Sequence, residues 1–85
     1  MKVKWLNKAL KNLDQEADCI SKDNPEEAIK MVQRILDKVI LLADNPSLGR
    51  PGRINGTREL IIDNSSYIIP YRINNNQIEL LRVFH

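Results

Sequence analysis

An α+β fold of order β-α-α-β-β-β, a helical hairpin packed on a small antiparallel sheet, is predicted by three features of the chain. Apolar residues recur at helical spacing through most of the first half. The second half changes to three short runs rich in Ile, Leu, Val and Tyr. Between the halves lies NPSLGRPGRINGTR (45–58), with all three glycines, three arginines and no acid. Eighty-five residues make one domain, 1–85.

Residues 2–6, KVKWL, alternate basic and apolar and put Val3 and Trp5 on one side, which predicts a short strand. Asn7 is placed to cap the first helix. From Lys8 to about Ser21, the residues Ala9, Leu10, Leu13, Ala17 and Ile20 fall on one helical stripe. Cys19 lies near that stripe and is expected to be a buried small hydrophobe. Asp23-Asn24-Pro25-Glu26-Glu27 is a helix start: Asn24 caps, Pro25 takes the first helical position, and the glutamates meet the positive helix end. The helix runs to about Ala43. Ala28, Met31, Val32, Ile35, Leu36, Val39, Ile40 and Leu42 give it an apolar face wide enough for burial against both a helix and a sheet. Pro46 biases Asn45 out of helical geometry and ends it. The short link between the helices implies an antiparallel hairpin.

Glycine and proline predict an irregular connector over 45–58. Thr57–Ile62, Tyr67–Ile73 and Gln77–Phe84 then read as strands of an antiparallel meander. Asparagine tolerates left-handed turn geometry, so DNSS (63–66) and NNN (74–76) suit hairpin turns. Tyr67 and Tyr71 are four apart, so both face one side of a strand, as core residues, and Arg72 faces the other. Pro70 removes an amide donor within its run; the strand is either bulged there or its position 70 faces no partner.

Charge is unevenly distributed. Residues 1–44 are neutral overall, and residues 45–85 carry five arginines against Glu59, Asp63 and Glu79. Arginine is preferred where planar, bidentate contact with carboxylate or phosphate is needed. Arg50, Arg53, Arg58, Arg72 and Arg82 therefore form the candidate contact surface for a target or partner. The apolar stripe at Leu10, Leu13 and Ala17 is a candidate seat for an amphipathic partner segment. A single Cys and a single His cannot build a metal site of the usual ligand count. The glycines match no nucleotide-binding loop, and no nucleophile elbow is present, so no cofactor is expected. With a general base, the arginines could cleave RNA, and His85 is the one side chain with an ordinary pKa near neutrality. The lone cysteine, the absence of a signal-like start and the absence of a long apolar run imply a cytoplasmic protein without membrane contact.

Four phrases in order carry a family resemblance: DNPEEAIKMVQRILDKVILLADNP (23–46), NPSLGRPGRINGTREL (45–60), YIIPYRI (67–73) and IELLRVFH (78–85). Together they resemble the toxins of the ParE/RelE superfamily, and GRPGRINGTREL is most similar to the ParE branch. The resemblance implies the same βααβββ fold and a toxin of a type II toxin–antitoxin pair, neutralised by a cognate antitoxin. ParE-like members inhibit DNA gyrase by binding; RelE-like members cut messenger RNA on the ribosome. The loop lacks the glutamate that some nucleases carry, and Ile68 and Ile69 stand where some have an arginine. Arg82 and His85 fall where catalytic groups often lie. The resemblance thus favours the gyrase branch, with a ribosome-dependent endoribonuclease using Arg82 and His85 as the alternative. A third reading is a toxin-fold protein that only binds antitoxin, because relatives commonly continue past the final His. Relatives also usually carry valine at the position of Pro70.

Overall fold

The structure, a computed structural model, describes all residues 1–85. Its elements are β1 (Lys2–Trp5), α1 (Asn7–Asp23), α2 (Pro25–Asp44), β2 (Arg50–Pro51), β3 (Arg58–Ile61), β4 (Ile68–Asn74) and β5 (Gln77–Leu80). The two helices pack on one face of a five-stranded sheet of order β1-β5-β4-β3-β2. The α+β hairpin-on-sheet class expected from the sequence holds. The sheet differs in two respects. It is mixed, because β1 runs parallel to β5, with Val3 opposite Ile78. It also gains β2 from within the glycine-rich connector, where Arg50 pairs with Glu59 and Pro51 with Arg58. That connector is therefore a small hairpin, its far end closed by Gly52 N–H to the Thr57 carbonyl at 2.9 Å.

The helix starts divide into one expected and one unexpected case. Asn24 accepts from the Glu27 amide at 3.2 Å, and Pro25 takes the first turn, as the sequence predicts. Asn7 does not cap. Leu6 flanks α1 and offers no side-chain cap, since leucine has no acceptor, and its amide still bonds the Leu80 carbonyl at 3.1 Å. The strand ladder thus runs straight into the helix, and Asn7 is already helical. The chain's terminal ammonium donates to the Ala43 carbonyl at 3.1 Å, which places positive charge at the negative end of α2.

Met31, Ile35, Val39 and Leu42 bury one stripe of α2 in a core with Leu60, Ile69, Tyr71, Ile78 and Leu80 of the sheet and Ile62 just past β3, and Ala28 is buried toward α1. Adjacent helical residues are rotated by about 100°. This rotation corrects three expectations. Leu36 and Ile40, one step past Ile35 and Val39, are exposed, so α2 buries a single stripe rather than a wide face. Leu10 turns outward next to buried Ala9. Cys19, one step before Ile20, is exposed rather than a core hydrophobe.

The turns match the asparagines. Asn64, Asn75 and Asn76 all have positive φ, and Asn75-Asn76 make a two-residue turn between paired Asn74 and Gln77. At Pro70 the strand pairing breaks. The Leu81 amide donates to the Pro70 carbonyl at 2.9 Å, but the reciprocal bond needs an N–H that proline lacks. Pairing resumes at Ile68 and Phe84, so Arg82 and Val83 lie opposite the single residue Ile69. This is a β-bulge. In a regular register Arg82 would point into the core. With the extra residue, Val83 is buried instead and Arg82 turns to the open face of the sheet.

Candidate functional site

The sheet face away from the helices is open, and its arginines divide by their partners. Two form ion pairs directly across the strands. Arg50 Nε donates to Glu59 Oε1 at 3.1 Å, and Arg72 Nε donates to Glu79 Oε1 at 2.6 Å. Both glutamates are largely covered. Arg58 instead donates to the Gly49 carbonyl at 2.8 Å. The arginine loop is thus less uncompensated than its composition implies, because Glu59 folds back beside it. Arg53 and Arg82 remain without a carboxylate. The Arg82 guanidinium lies over the Phe84 ring, 5.2 Å from its centroid.

Arg53 and Arg82 line one cleft of about 290 Å³ with Ile54, Thr57, Glu59, Pro70, Leu81 and Phe84. Phe84 is 44% exposed, so this cleft joins free positive charge to accessible apolar surface. The composition pointed to the arginines. It did not point to Pro70, Leu81 and Phe84 as their floor, because the bulge that gathers them depends on pairing across the sheet.

The loop is held to the core by Tyr71. Its hydroxyl donates to the Pro46 carbonyl at 2.7 Å and accepts from the Gly49 amide at 2.9 Å. Glycine is required at 49 because a Cβ there would stand 2.6 Å from the Tyr71 ring. Burial is the main cause that raises the Tyr71 hydroxyl pKa. Tyr67 is also buried, just before β4, and its hydroxyl donates to Glu16 Oε2 at 3.1 Å. Burial first, then the Glu16 carboxylate, pushes the Tyr67 pKa up to about 12. Both tyrosines are core residues on one side of the strand, as expected. Their hydroxyls are engaged toward the helices and the loop.

His85 stacks on Tyr67 with ring centroids 4.9 Å apart. It lines a cleft with Arg53, Glu59, Ile68 and Phe84, and Arg82 lines a second cleft that shares Arg53, Glu59 and Phe84 with it. No group of three or more His, Cys, Asp or Glu is arranged to hold a metal ion. No helix is long and apolar enough to cross a membrane.

The second surface lies on the helices. Ala17 lines a groove of about 420 Å³ with Asp18, Ser21, Ala28, Ile29 and Val32. Leu13 instead packs, half-buried, against the core, and Leu10 is exposed away from the groove lining. Ile29, Leu36 and Ile40 extend the groove's apolar side along α2 at 70%, 39% and 63% exposure. Ile29 was not among the stripe residues, although it lies three, seven and eleven residues from Val32, Leu36 and Ile40.

The sequence and the fold are similar to those of known proteins. The family model described as the ParE toxin of the type II toxin–antitoxin system parDE matches residues 3–85. The protein Y4kP of Sinorhizobium fredii, whose name marks it as a candidate toxin, is 45% identical over 84 residues. That match covers 99% of this chain and 86% of Y4kP. A solved chain of the chromosomal ParDE toxin–antitoxin system from P. aeruginosa superposes with a TM-score of 0.87 at 34% identity. It covers 98% of this chain and 92% of that one. The chain therefore belongs to the ParE toxin family of type II toxin–antitoxin systems.

Proposed function

We propose that this toxin acts in the cytoplasm by binding and inhibiting DNA gyrase, without turnover, and that a cognate antitoxin protein neutralises it. The observation that carries this reading is the state of the proton-transfer groups around the open face. General acid–base cleavage of RNA needs a free acid or base beside a group that stabilises the phosphate charge. Glu59 and Glu79 are each held by an arginine, and both tyrosine hydroxyls are engaged elsewhere. Besides His85, which is packed against the Tyr67 ring, the face offers shape, apolar area and the two arginines without carboxylates, a set suited to binding. Membership of the ParE branch favours gyrase as the target. The antitoxin fits the hairpin groove, where an amphipathic segment can cover Ile29, Val32 and Ala17.

The ribonuclease reading rests on one observation, that Arg82 and His85 line two clefts that share Phe84 at the bulged end of the sheet. Two reactions in parallel separate the readings. Purified toxin is added to gyrase supercoiling and to ribosomes translating a defined message. Loss of supercoiling with intact message is the expected result. Intact supercoiling with codon-phased cuts, abolished in Arg82→Gln, would overturn the proposal. A third outcome, neither effect together with tight antitoxin binding, would identify a toxin fold reduced to partner binding.

A further inference from the structure

We infer that the cleft between the arginine loop and the bulged end of the sheet is the anchor site for an acidic protein segment, one that sets a carboxylate beside an apolar side chain. This rests on the reading of the toxin as a protein that acts by binding, and it specifies the chemistry of what is bound.

Of the five arginines in the second half, only Arg53 and Arg82 bond to no carboxylate or carbonyl of the chain, and both line this cleft. Pro70, Leu81 and Phe84 lie between them as an apolar floor. The bulge makes the juxtaposition, since it sends Val83 into the core and releases Arg82 to the open side. Bulges commonly re-aim a side chain in this way. An exposed guanidinium next to apolar surface binds a carboxylate in bidentate fashion while the neighbouring apolar group displaces water from the floor.

The surrounding charges favour protein over nucleic acid. A nucleic-acid backbone binds through a run of basic groups that neutralise successive phosphates. Here Glu59, on the cleft's own lining, is paired with Arg50, and farther along the open face Arg72 is paired with Glu79, two pairs already neutralised. Phosphates extending past the cleft would meet carboxylates. A peptide needs only one or two negative charges at the centre, which matches the two free arginines.

The test uses the full chain with defined probes, monitored by amide NMR. The probes are a synthetic peptide alternating glutamate and leucine around one phenylalanine, its glutamine-for-glutamate isostere, and oligouridylate. The acidic peptide should shift amides at residues 53–54, 68, 69, 71 and 81–84, and the isostere should not. Arg53→Gln and Arg82→Gln should each weaken binding about tenfold or more. Lys11→Gln, exposed on α1, should leave it unchanged. Shifts confined to the helical hairpin, no shifts, or equal binding of the isostere would overturn the inference. Oligouridylate shifting the same amides more strongly than the peptide would overturn it in favour of nucleic acid. Gyrase inhibition by the wild-type chain is scored separately. If it persists in both arginine variants, the cleft inference fails and the proposed function stands. If the wild type does not inhibit, the proposed function fails whatever the peptide does.

Discussion

The Tyr71 hydroxyl has two partners on one loop, the part-buried Pro46 carbonyl and the buried Gly49 amide. Tyr71→Phe leaves the buried Gly49 amide and the part-buried Pro46 carbonyl without this partner, which should cost about 1–3 kcal/mol. Urea denaturation should show a lower midpoint at unchanged slope. Hydrogen exchange at Gly49 should quicken in the same variant. Tyr67 makes a pH-dependent prediction. Its phenol ionises near 10.0 when unfolded and near 12 when folded, so the unfolded state loses its proton first. This group's contribution is fully present below about pH 10 and is lost as pH rises from 10 to 12. The loss should be on the order of 2 kcal/mol and absent from Tyr67→Phe, measured as the difference between the two stability–pH curves. That both tyrosines face the core was legible from their four-residue separation. Their hydroxyl partners were not, because Pro46 and Glu16 lie 25 and 51 residues away in sequence.

Elements were legible where a period or a cap wrote them. Asn24-Pro25 started α2, and the asparagine turns set both hairpins of the meander. Two residues of β2 between glycines carry no period, so the strand was hidden in what read as a plain connector. The parallel pairing of β1 with β5 was hidden too, since it joins residues some seventy-five apart. For Pro70 the sequence offered a bulge in its own strand or a position facing no partner, and neither holds: its missing donor faces β5, and the bulge sits on that partner strand. Burial of Val83 in place of Arg82 is enough to hold the bulge. Pro70→Val should therefore keep Val83 buried, gain a bond to the Leu81 carbonyl and raise stability by about 0.5–1.5 kcal/mol. Slow exchange at the new residue-70 amide checks the bond. On the helices, Ile29→Glu removes apolar surface from the groove at a 70% exposed position. Stability should stay within about 0.5 kcal/mol. Affinity for the cognate antitoxin, read by calorimetry, should fall about tenfold or more.

Over the whole molecule, one sheet separates two surfaces of different chemistry. The helical side presents an apolar groove, and the open side presents the arginine cleft. The net charge of +2 comes entirely from the second half of the chain. Two of its five arginines are neutralised across strands, and a third is turned to loop carbonyls. The sequence made the basic half visible but could not say which arginines stay free, because the neutralising glutamates are set by strand register. Under the proposed assignment, an antitoxin on the groove and a target on the cleft would engage different faces, and neutralisation would require the antitoxin to reach around the sheet or to lock the fold. The central claim is that the toxin acts by binding and not by turnover, and titration against a fixed amount of gyrase tests it most directly. Inhibition of supercoiling should rise in proportion to toxin, level off near equivalence with gyrase, and reverse when antitoxin is added. Supercoiling left untouched at excess toxin, while a trace of the same toxin steadily consumes ribosome-bound message, would contradict it.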